Sequence, residues 1–482
     1  MDGRLIDSKY QIGNSPFYLP DAFIKQMKKL LSEKELFSFL SSYNMPAAKG
    51  LSINTNKTHS LLQLLSLFNL TQDSLIPWYK HGYFLNATQR TLAGKDILHE
   101  LGAYYLQEPS AMIPVSVLDP QPGEKILDLC AAPGGKSVQI LSLLGGEGIL
   151  VANDPYEKRA AVLSRNIERI GAANTIVTSE SPQNLAPFFQ GFFDKILVDA
   201  PCSGEGMFRK DPQTVLQWNE RSPQLCSDRQ KEILLQAYQM LKPGGRLCYS
   251  TCTFNEIENE DVVQWFLATF PDCSLLPFSF PIKTIQEEFP GMYRGLPHTI
   301  NGEGHFVALF QKNNFLENSN ISSRKEKQKK TKSIQKNNAI PLKELQLAKE
   351  FFNNDDFSTT GPYIFFKNQL CISPFPFQVD LLPIKILRLG LHVGGFSTNR
   401  FVPGHSFAIS QKVPKYFPRI SITKKEVISL LQGGEIENRE NAKGWVVFSY
   451  HQIDITWGKA SGRKIKNHYP KGLRRTEDFF LT

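Results

Sequence analysis

Apolar residues recur through the middle of the chain with two alternating periods. Short, nearly continuous apolar runs at residues 125–130, 148–153, 175–179, 193–199, 244–250 and 305–311 read as buried strands. Between them, apolar positions fall three and four apart. Residues 156–170 place Ala160, Leu163, Ile167 and Ile170 on one face; residues 223–241 do the same with Leu225, Ile233, Leu234, Ala237 and Leu241. That spacing predicts amphipathic helices. Strand–helix alternation across residues 105–312 predicts an α/β unit with a parallel, doubly wound sheet, a Rossmann-like core. Ligands of such sheets sit outside the carboxyl ends of the strands.

The flanks follow other rules. Residues 1–104 read as a separate α-rich segment that caps the core or positions a substrate. In it, Leu19-Pro-Asp21 starts a helix with Phe23, Met27, Leu30 and Leu31 as its stripe, residues 51–54 suggest a short strand, and residues 60–68 suggest another helix. Residues 313–339 are polar and hold Arg324-Lys-Glu-Lys-Gln-Lys-Lys-Thr-Lys332, which reads as a solvated basic linker. A small α/β segment follows at 340–384, then a β-rich segment at 385–482. No acid lies between Asp454 and Glu477, whereas Lys459, Arg463, Lys464, Lys466, Lys471, Arg474 and Arg475 do. With His468 and Tyr469 inside it, this stretch suits phosphate contacts and base stacking.

Composition narrows the classes. A chain of 482 residues exceeds one ordinary core and implies several domains. The net charge of +9 is only a weak pointer to a polyanion, because many basic proteins bind none. Met1-Asp-Gly-Arg-Leu-Ile-Asp7 lacks the apolar core of a signal peptide, and no apolar run approaches the length of a membrane helix. The seven cysteines are odd in number and form no C-x-x-C pair, which disfavours a zinc site or a disulfide framework. A cytoplasmic protein with no metal and no membrane partner is the expectation.

Chemistry concentrates at three strand ends. The first run leads into Cys130-Ala131-Ala132-Pro133-Gly134-Gly135-Lys136, a glycine turn before a helix. Glycines let backbone approach a ligand, and the helix amino terminus favours polar groups. Asp154, twenty residues after Gly134, sits where an acid accepts hydrogen bonds from ribose hydroxyls. The turn has neither G-x-G-x-x-G nor a P-loop, so a nucleoside without a phosphate chain fits it better, namely S-adenosyl-L-methionine. The next two strand ends carry Asp199-Ala-Pro-Cys202 and Tyr249-Ser-Thr-Cys252. Cytosine C5 attacks a methyl group only after a nucleophile has added at C6. A thiolate does this, with a partner where charge develops at N3 and N4. Asp199, Cys202 and Cys252 supply that inventory, and the residues alone do not say which thiol attacks. Cys226, Cys248, Cys273 and Cys371 read as inert structural thiols.

Asp128-Leu-Cys-Ala-Ala-Pro-Gly-Gly-Lys136, Asp199-Ala-Pro-Cys-Ser-Gly-Glu-Gly-Met207 and Tyr249-Ser-Thr-Cys-Thr253 resemble the signatures of the Sun family of RNA cytosine-5 methyltransferases. Tyr105-Leu-Gln-Glu-Pro-Ser-Ala-Met112, Arg294-Gly-Leu-Pro-His298 and Gly302-Glu-Gly-His-Phe306 extend the resemblance. Together with Gly-Met-Phe-Arg-Lys-Asp211 and the two C-terminal segments, they point to the bacterial branch acting on small-subunit ribosomal RNA. Residues 385–482 resemble a PUA-type RNA-binding barrel.

The resemblance implies that Cys252 is the nucleophile and that Cys202 helps break down the adduct. It also implies that Asp199 contacts both cytosine and cofactor, with Lys136 bonding Asp199 or the cofactor. Cys130 to Lys136 would line the cofactor, Asp154 would hold the ribose, and Arg159 would lie nearby. The family's acid near the adenine has no clear counterpart: Glu180 is the acid of that loop and Ser181 takes the aligned place. Ser52 stands where the family often has arginine. The implied function is methylation of cytosine C5 in ribosomal RNA, naked or in a ribosomal subunit, by a monomer. The alternatives are the same chemistry on tRNA, or a catalytically idle RNA-binding assembly factor.

Overall fold

The computed structural model describes residues 10–279, 281, 290–314, 340–352, 363–375, 383–397, 399–476 and 479. Apart from Asn313 and Asn314, the expected basic linker lies outside the described residues.

Nine strands form the central sheet: β1 (Lys125–Asp128), β2 (Ile149–Asn153), β3 (Thr175–Thr178), β4 (Phe193–Asp199), β5 (Leu241–Thr251), β6 (Cys273–Leu275), β7 (Met292–Gly295), β8 (His305–Lys312) and β9 (Ile386–Leu389). Their order is β6-β8-β5-β4-β1-β2-β3-β9, with β7 also paired to β8. Strands β1 to β5 pair in parallel, as the strand–helix alternation predicts. β8 runs antiparallel to β5, and β9 antiparallel to β3. From β1 the chain proceeds to one side through β2 and β3, then to the other through β4 and β5. The carboxyl ends of β1 and β4 therefore flank the reversal of strand order, where this architecture opens a crevice.

Period-two alternation splits the apolar residues between two layers. Leu127, Val151, Ile176 and Ile196 join Leu234, Phe266 and Phe310 on one face. Their neighbours Ile126, Leu150, Val177 and Leu197 join Ile140, Leu163 and Ile167 on the other. Helix Glu157–Arg169 buries Ala160, Leu163 and Ile167 as expected. Helix Ser222–Met240 buries Pro223, Ser227, Gln230, Leu234 and Ala237. Leu225 lies two positions out of phase with that stripe and is exposed. Leu241 begins β5 instead of ending the helix.

The N-terminal segment holds the expected helices, Asp21–Leu30, Glu33–Ser42 and Leu61–Leu67. It also carries a four-stranded antiparallel sheet ordered Leu75–Ile76, Tyr79–Phe84, Gly50–Ile53 and Tyr104–Gln107. The run Tyr79–Phe84 escapes pattern reading because polar residues and Gly82 break its apolar alternation. Phe23 and Phe39 of the first two helices pack on Phe208, Trp218 and Phe254. The C-terminal part has helix Leu342–Phe351, a four-stranded sheet from Tyr363–Phe366 to Arg400–Pro403, and a five-stranded sheet including Gly444–Tyr450, Ile453–Ser461 and Lys464–Asn467. Among the described residues no helix is long and apolar enough to cross a membrane.

Candidate active site

The register of β4 on β5 builds the thiol pair. Asp199 sits opposite Ser250, so Cys202 and Cys252 leave neighbouring strand ends side by side. Their sulfurs lie 3.3 Å apart, and both residues are partly exposed. The Cys202 thiol is pushed well up by its hydrogen bond to Cys252, by burial and by the charge Cys252 carries when ionised. Cys248, Cys273 and Cys371 are buried away from this pair, and Cys226 is half-buried.

Asp199 is the hub beside the thiols. Lys136 Nζ donates to Oδ2 at 2.7 Å, Ser250 Oγ donates to Oδ1 at 2.8 Å, and His305 Nε2 lies 3.4 Å from Oδ1. Burial alone would raise the Asp199 carboxyl. The Lys136 charge and the His305 hydrogen bond outweigh it and hold Asp199 well below the usual carboxylate range. Burial pulls Lys136 down, but Asp199 more than offsets this, and a charged Cys252 adds to the effect; the ammonium ends above its ordinary value. Burial lowers His305, whose imidazole is therefore neutral at pH 7. Since the carboxylate only accepts, Nε2 carries the ring proton.

The glycine turn is fixed from beneath and from outside. Ser137 Oγ donates to Asp128 Oδ2 at 2.6 Å, and burial pushes the Asp128 carboxyl up to about 7. Arg159 donates to the Ala132 carbonyl at 3.0 Å, and Asn166 to that of Pro133 at 2.8 Å. Gly134 has φ +116°, and a Cβ there would meet Leu163 at 3.0 Å. Only glycine takes that backbone cheaply. Burial raises the Cys130 thiol, which makes it a wall and not a nucleophile.

Cys130, Ala132, Asp154, Arg159, Asp199, Cys202 and Cys252 line one cleft of about 430 Å³. Ala131, Pro133, Gly135 and Lys136 line a second cavity of about 190 Å³, which shares Cys130, Ala132 and Asp199 with the first. Asp154 accepts from the Tyr156 N–H at 3.0 Å and lies 3.3 Å from Arg159; burial raises its carboxyl. Pro155, Tyr156, Pro182 and Gln183 complete that end of the cleft. An acceptor, a flat apolar wall and the Asp199 anion fit a ribose, an adenine and a sulfonium in turn.

Ser181 is not brought to the wall. It caps the helix Pro182–Leu185 and accepts from the Asn184 N–H at 3.2 Å. Glu180 turns outward and accepts from the Lys385 N–H at 2.7 Å and from Asn184 at 2.9 Å. Sequence reading assigned no role to His305 and Ser250, although both stand inside the motifs it singled out. It also passed over Glu205 and Glu258, whose signal was only their nearness to the two thiols. Ser52 is buried, its hydroxyl against that of Tyr79.

Four family descriptions match along the chain: the N-terminal domain of 16S rRNA methyltransferase RsmF at residues 19–109, 16S rRNA methyltransferase RsmB/F at 115–311, the RsmF rRNA methyltransferase first C-terminal domain at 350–410, and the methyltransferase RsmF PUA domain at 417–475. The chain is 30% identical to ribosomal RNA small subunit methyltransferase F of Salmonella paratyphi A, over 96% of this chain and 98% of the relative. It is 28% identical to the protein of that name from Vibrio parahaemolyticus, over 96% and 99%. Among solved structures, a methyltransferase homologue from Pyrococcus horikoshii superposes with TM-score 0.52 at 30% identity, covering 61% of this chain and 95% of that one. NSun6 from the same organism, solved with SFG, shares the fold at TM-score 0.53 and 20% identity, over 61% and 98%.

Proposed function

The chain belongs to the 16S rRNA methyltransferase RsmB/F family, and from that premise we propose that it methylates cytosine C5 of small-subunit ribosomal RNA through a covalent Cys252–C6 adduct. Its cofactor is S-adenosylmethionine, which supplies an electrophilic methyl group on sulfur. The observation that carries the reading is the thiol pair: two sulfurs 3.3 Å apart, beside a carboxylate held by a buried lysine.

The chain's groups divide the work. The Cys252 thiolate adds to C6 and makes C5 nucleophilic. Asp199, kept ionised, accepts from the exocyclic amine, while the Lys136 ammonium offsets charge that develops on the ring. His305 and Ser250 keep the carboxylate turned toward the cleft. After methyl transfer, C5 must lose its proton before the C6–S bond breaks and Cys252 leaves as thiolate. Cys202 is suited to take that proton. Its thiol is held protonated first by Cys252 and then by burial. Once Cys252 is bonded to carbon the first hold is gone, the thiol's own proton leaves to water at the partly exposed cleft, and the Cys202 thiolate then takes the C5 proton. Asp154 would hold the ribose, and Pro155, Tyr156 and Pro182, which line the same cleft, would flank the adenine.

The target base must leave its stack to reach Cys252. The test is bisulfite sequencing of ribosomal and transfer RNA from a deletion strain and its complemented parent. Loss of one or more ribosomal 5-methylcytosines, restored by the wild-type chain but not by Cys252→Ala, is the expected result. An unchanged ribosomal pattern overturns the reading.

A further inference from the structure

Two buried carboxylates cross between the loops that carry the thiols. Glu205 belongs to the Cys202 loop. Its Oε2 accepts from the N–H groups of Phe254 and Asn255 at 2.8 and 3.1 Å, just past Cys252. Its Oε1 accepts from the amides of Gln26 and Asn255 at 2.9 and 3.2 Å. Glu258 belongs to the Cys252 loop. Its Oε2 accepts from the N–H of Ser203, next to Cys202, and from Gln230, both at 2.9 Å. Its Oε1 accepts from Asn255 at 2.8 Å. Each loop is thus held by a carboxylate rooted in the other, and the Asn255 amide bridges the two. The contact is tightened by Gly206 N–H on the Cys252 carbonyl at 2.8 Å, and by the Ser203 and Thr253 hydroxyls, also 2.8 Å apart.

Both carboxylates are fully buried, and no cation pairs with either among the described residues. An uncompensated buried carboxylate is costly unless its oxygens are saturated with donors. Every partner here is a donor, and apart from Gln26 and Gln230 the donors come from the two loops whose spacing the chemistry depends on. C5 and C6 are adjacent ring atoms, so two sulfurs that act on them in turn must hold a fixed separation.

We propose that Glu205 and Glu258 are positioning residues for the thiol pair: Glu205 places Cys252 for attack, and Glu258 places Cys202 for release of the methylated base. The inference rests on the adduct reading above. It goes further by assigning formation and breakdown of the adduct to different carboxylates.

Glu205→Asp and Glu258→Asp keep the charge and shorten the reach by one methylene. Glu205→Gln and Glu258→Gln keep the reach and one acceptor oxygen. The purified variants are given small ribosomal subunits from the deletion strain with radiolabelled S-adenosylmethionine. Single-turnover adduct formation, adduct release and cofactor affinity are read separately. Displacement by a fraction of an ångström lowers an oriented step by about tenfold or more. Glu205→Asp should slow adduct formation by about that factor without accumulating adduct. Glu258→Asp should form adduct at nearly the parental rate and release it about tenfold more slowly, so that a protein–RNA band builds on denaturing gels. Cofactor affinity should hold in both; each Gln variant turns an NH2 toward donors and should slow the same step as the Asp variant at its position.

The proposal fails if the Asp variants match wild type in both steps. It also fails if a Gln variant slows only the step assigned to the other carboxylate. Cys202→Ala run alongside separates the two levels. If it traps no RNA, the adduct reading itself has failed. If it traps RNA while Glu258→Asp releases normally, only the positioning role has.

Discussion

Asp154→Ala removes the carboxylate at the ribose end of the cleft, and the structure sets the size of the effect. The side chain is 2% exposed, and both oxygens are already engaged, Oδ1 by the Tyr156 N–H and Oδ2 by Arg159. A carboxylate oxygen offers about two acceptor positions, so one on each is left for a ribose hydroxyl. Hydrogen bonds to charged groups contribute about 1.5–3 kcal/mol each. The low end applies because Arg159 already draws charge from the carboxylate. Two such bonds give about 3 kcal/mol, or about two powers of ten in Kd. Asp154→Asn keeps one oxygen and should lose about tenfold.

Calorimetric titration with S-adenosylmethionine and S-adenosylhomocysteine reads both variants. The pH dependence supplies a second check. Burial raises the Asp154 carboxyl, so protonation begins above the ordinary carboxylate value of about 3.9. Protonation removes the charge that the ribose hydroxyls donate to. Wild-type affinity should therefore fall as pH drops through that raised value, while Asp154→Asn stays flat. Affinities within about twofold of wild type for both variants would exclude Asp154 from ribose binding and refute the lone-pair count.

Cys252→Ala should abolish methylation and leave calorimetric cofactor affinity within about threefold, since Cys252 follows β5, three strands away from β2, which leads to Asp154. Cys202→Ala should trap methylated RNA on Cys252 as a slow band on denaturing gels; the same band from Cys252→Ala would reverse the two thiols. Replacing Lys459, Lys464 and Lys466 together by Glu should flatten the salt dependence of RNA binding by about 0.7 per lost phosphate contact, read by titrating an rRNA fragment at several salt concentrations. Lys459 and Lys466 face each other across two strands, where a Glu pair repels as the Lys pair does, and the Lys464–Glu435 pair that is lost is exposed and of little weight, so the variant should unfold close to wild type. Arg209→Met strands the buried Glu303 that Arg209 grips at 2.8 Å, at a cost of about 3–5 kcal/mol; limited proteolysis should then cut the N-terminal segment faster.

The Rossmann-like core was legible because each strand is short, apolar and followed by a turn or a helix. Those signals are local and do not need the third dimension. The site was legible for a related reason: in a parallel sheet the chemistry falls at strand ends, so Cys130, Asp154, Asp199, Cys202 and Cys252 could be marked along the chain before any distance was known. What escaped was long-range in sequence. His305 reaches Asp199 only because β8 returns antiparallel beside β5. Glu205 and Glu258 matter through backbone N–H groups about fifty residues away, and no period or motif encodes that. Ser181 and Glu180 were candidates by alignment of position, yet one is spent on a helix cap and the other on a backbone N–H of the C-terminal part.

That last contact bears on how the two ends of the enzyme communicate. The Glu180 loop forms the end of the cleft expected to take the adenine, and it is tied to Lys385 immediately before β9. β9 in turn pairs with β3 along Thr178, Val177 and Ile176, extending the sheet that carries the cofactor crevice. Arg388 sits fully buried in that strand, 3.8 Å from Glu168 of the helix that also supplies Arg159. Farther on, Arg475 closes on Glu100 of the N-terminal segment through bonds of 2.8 and 2.9 Å. Two of the seven cations expected to face phosphate therefore sit in ion pairs within the chain, Arg475 with the buried Glu100 side chain and Lys464 with the exposed Glu435. Deleting residues 385–482 would thus strip an edge from the catalytic sheet and unpin the cofactor loop along with any RNA contact. Loss of activity in such a truncation carries no information about RNA binding, whereas surface charge reversal on Lys464–Asn467 and its neighbouring strand does, because it leaves β9, Glu180 and Arg475 in place.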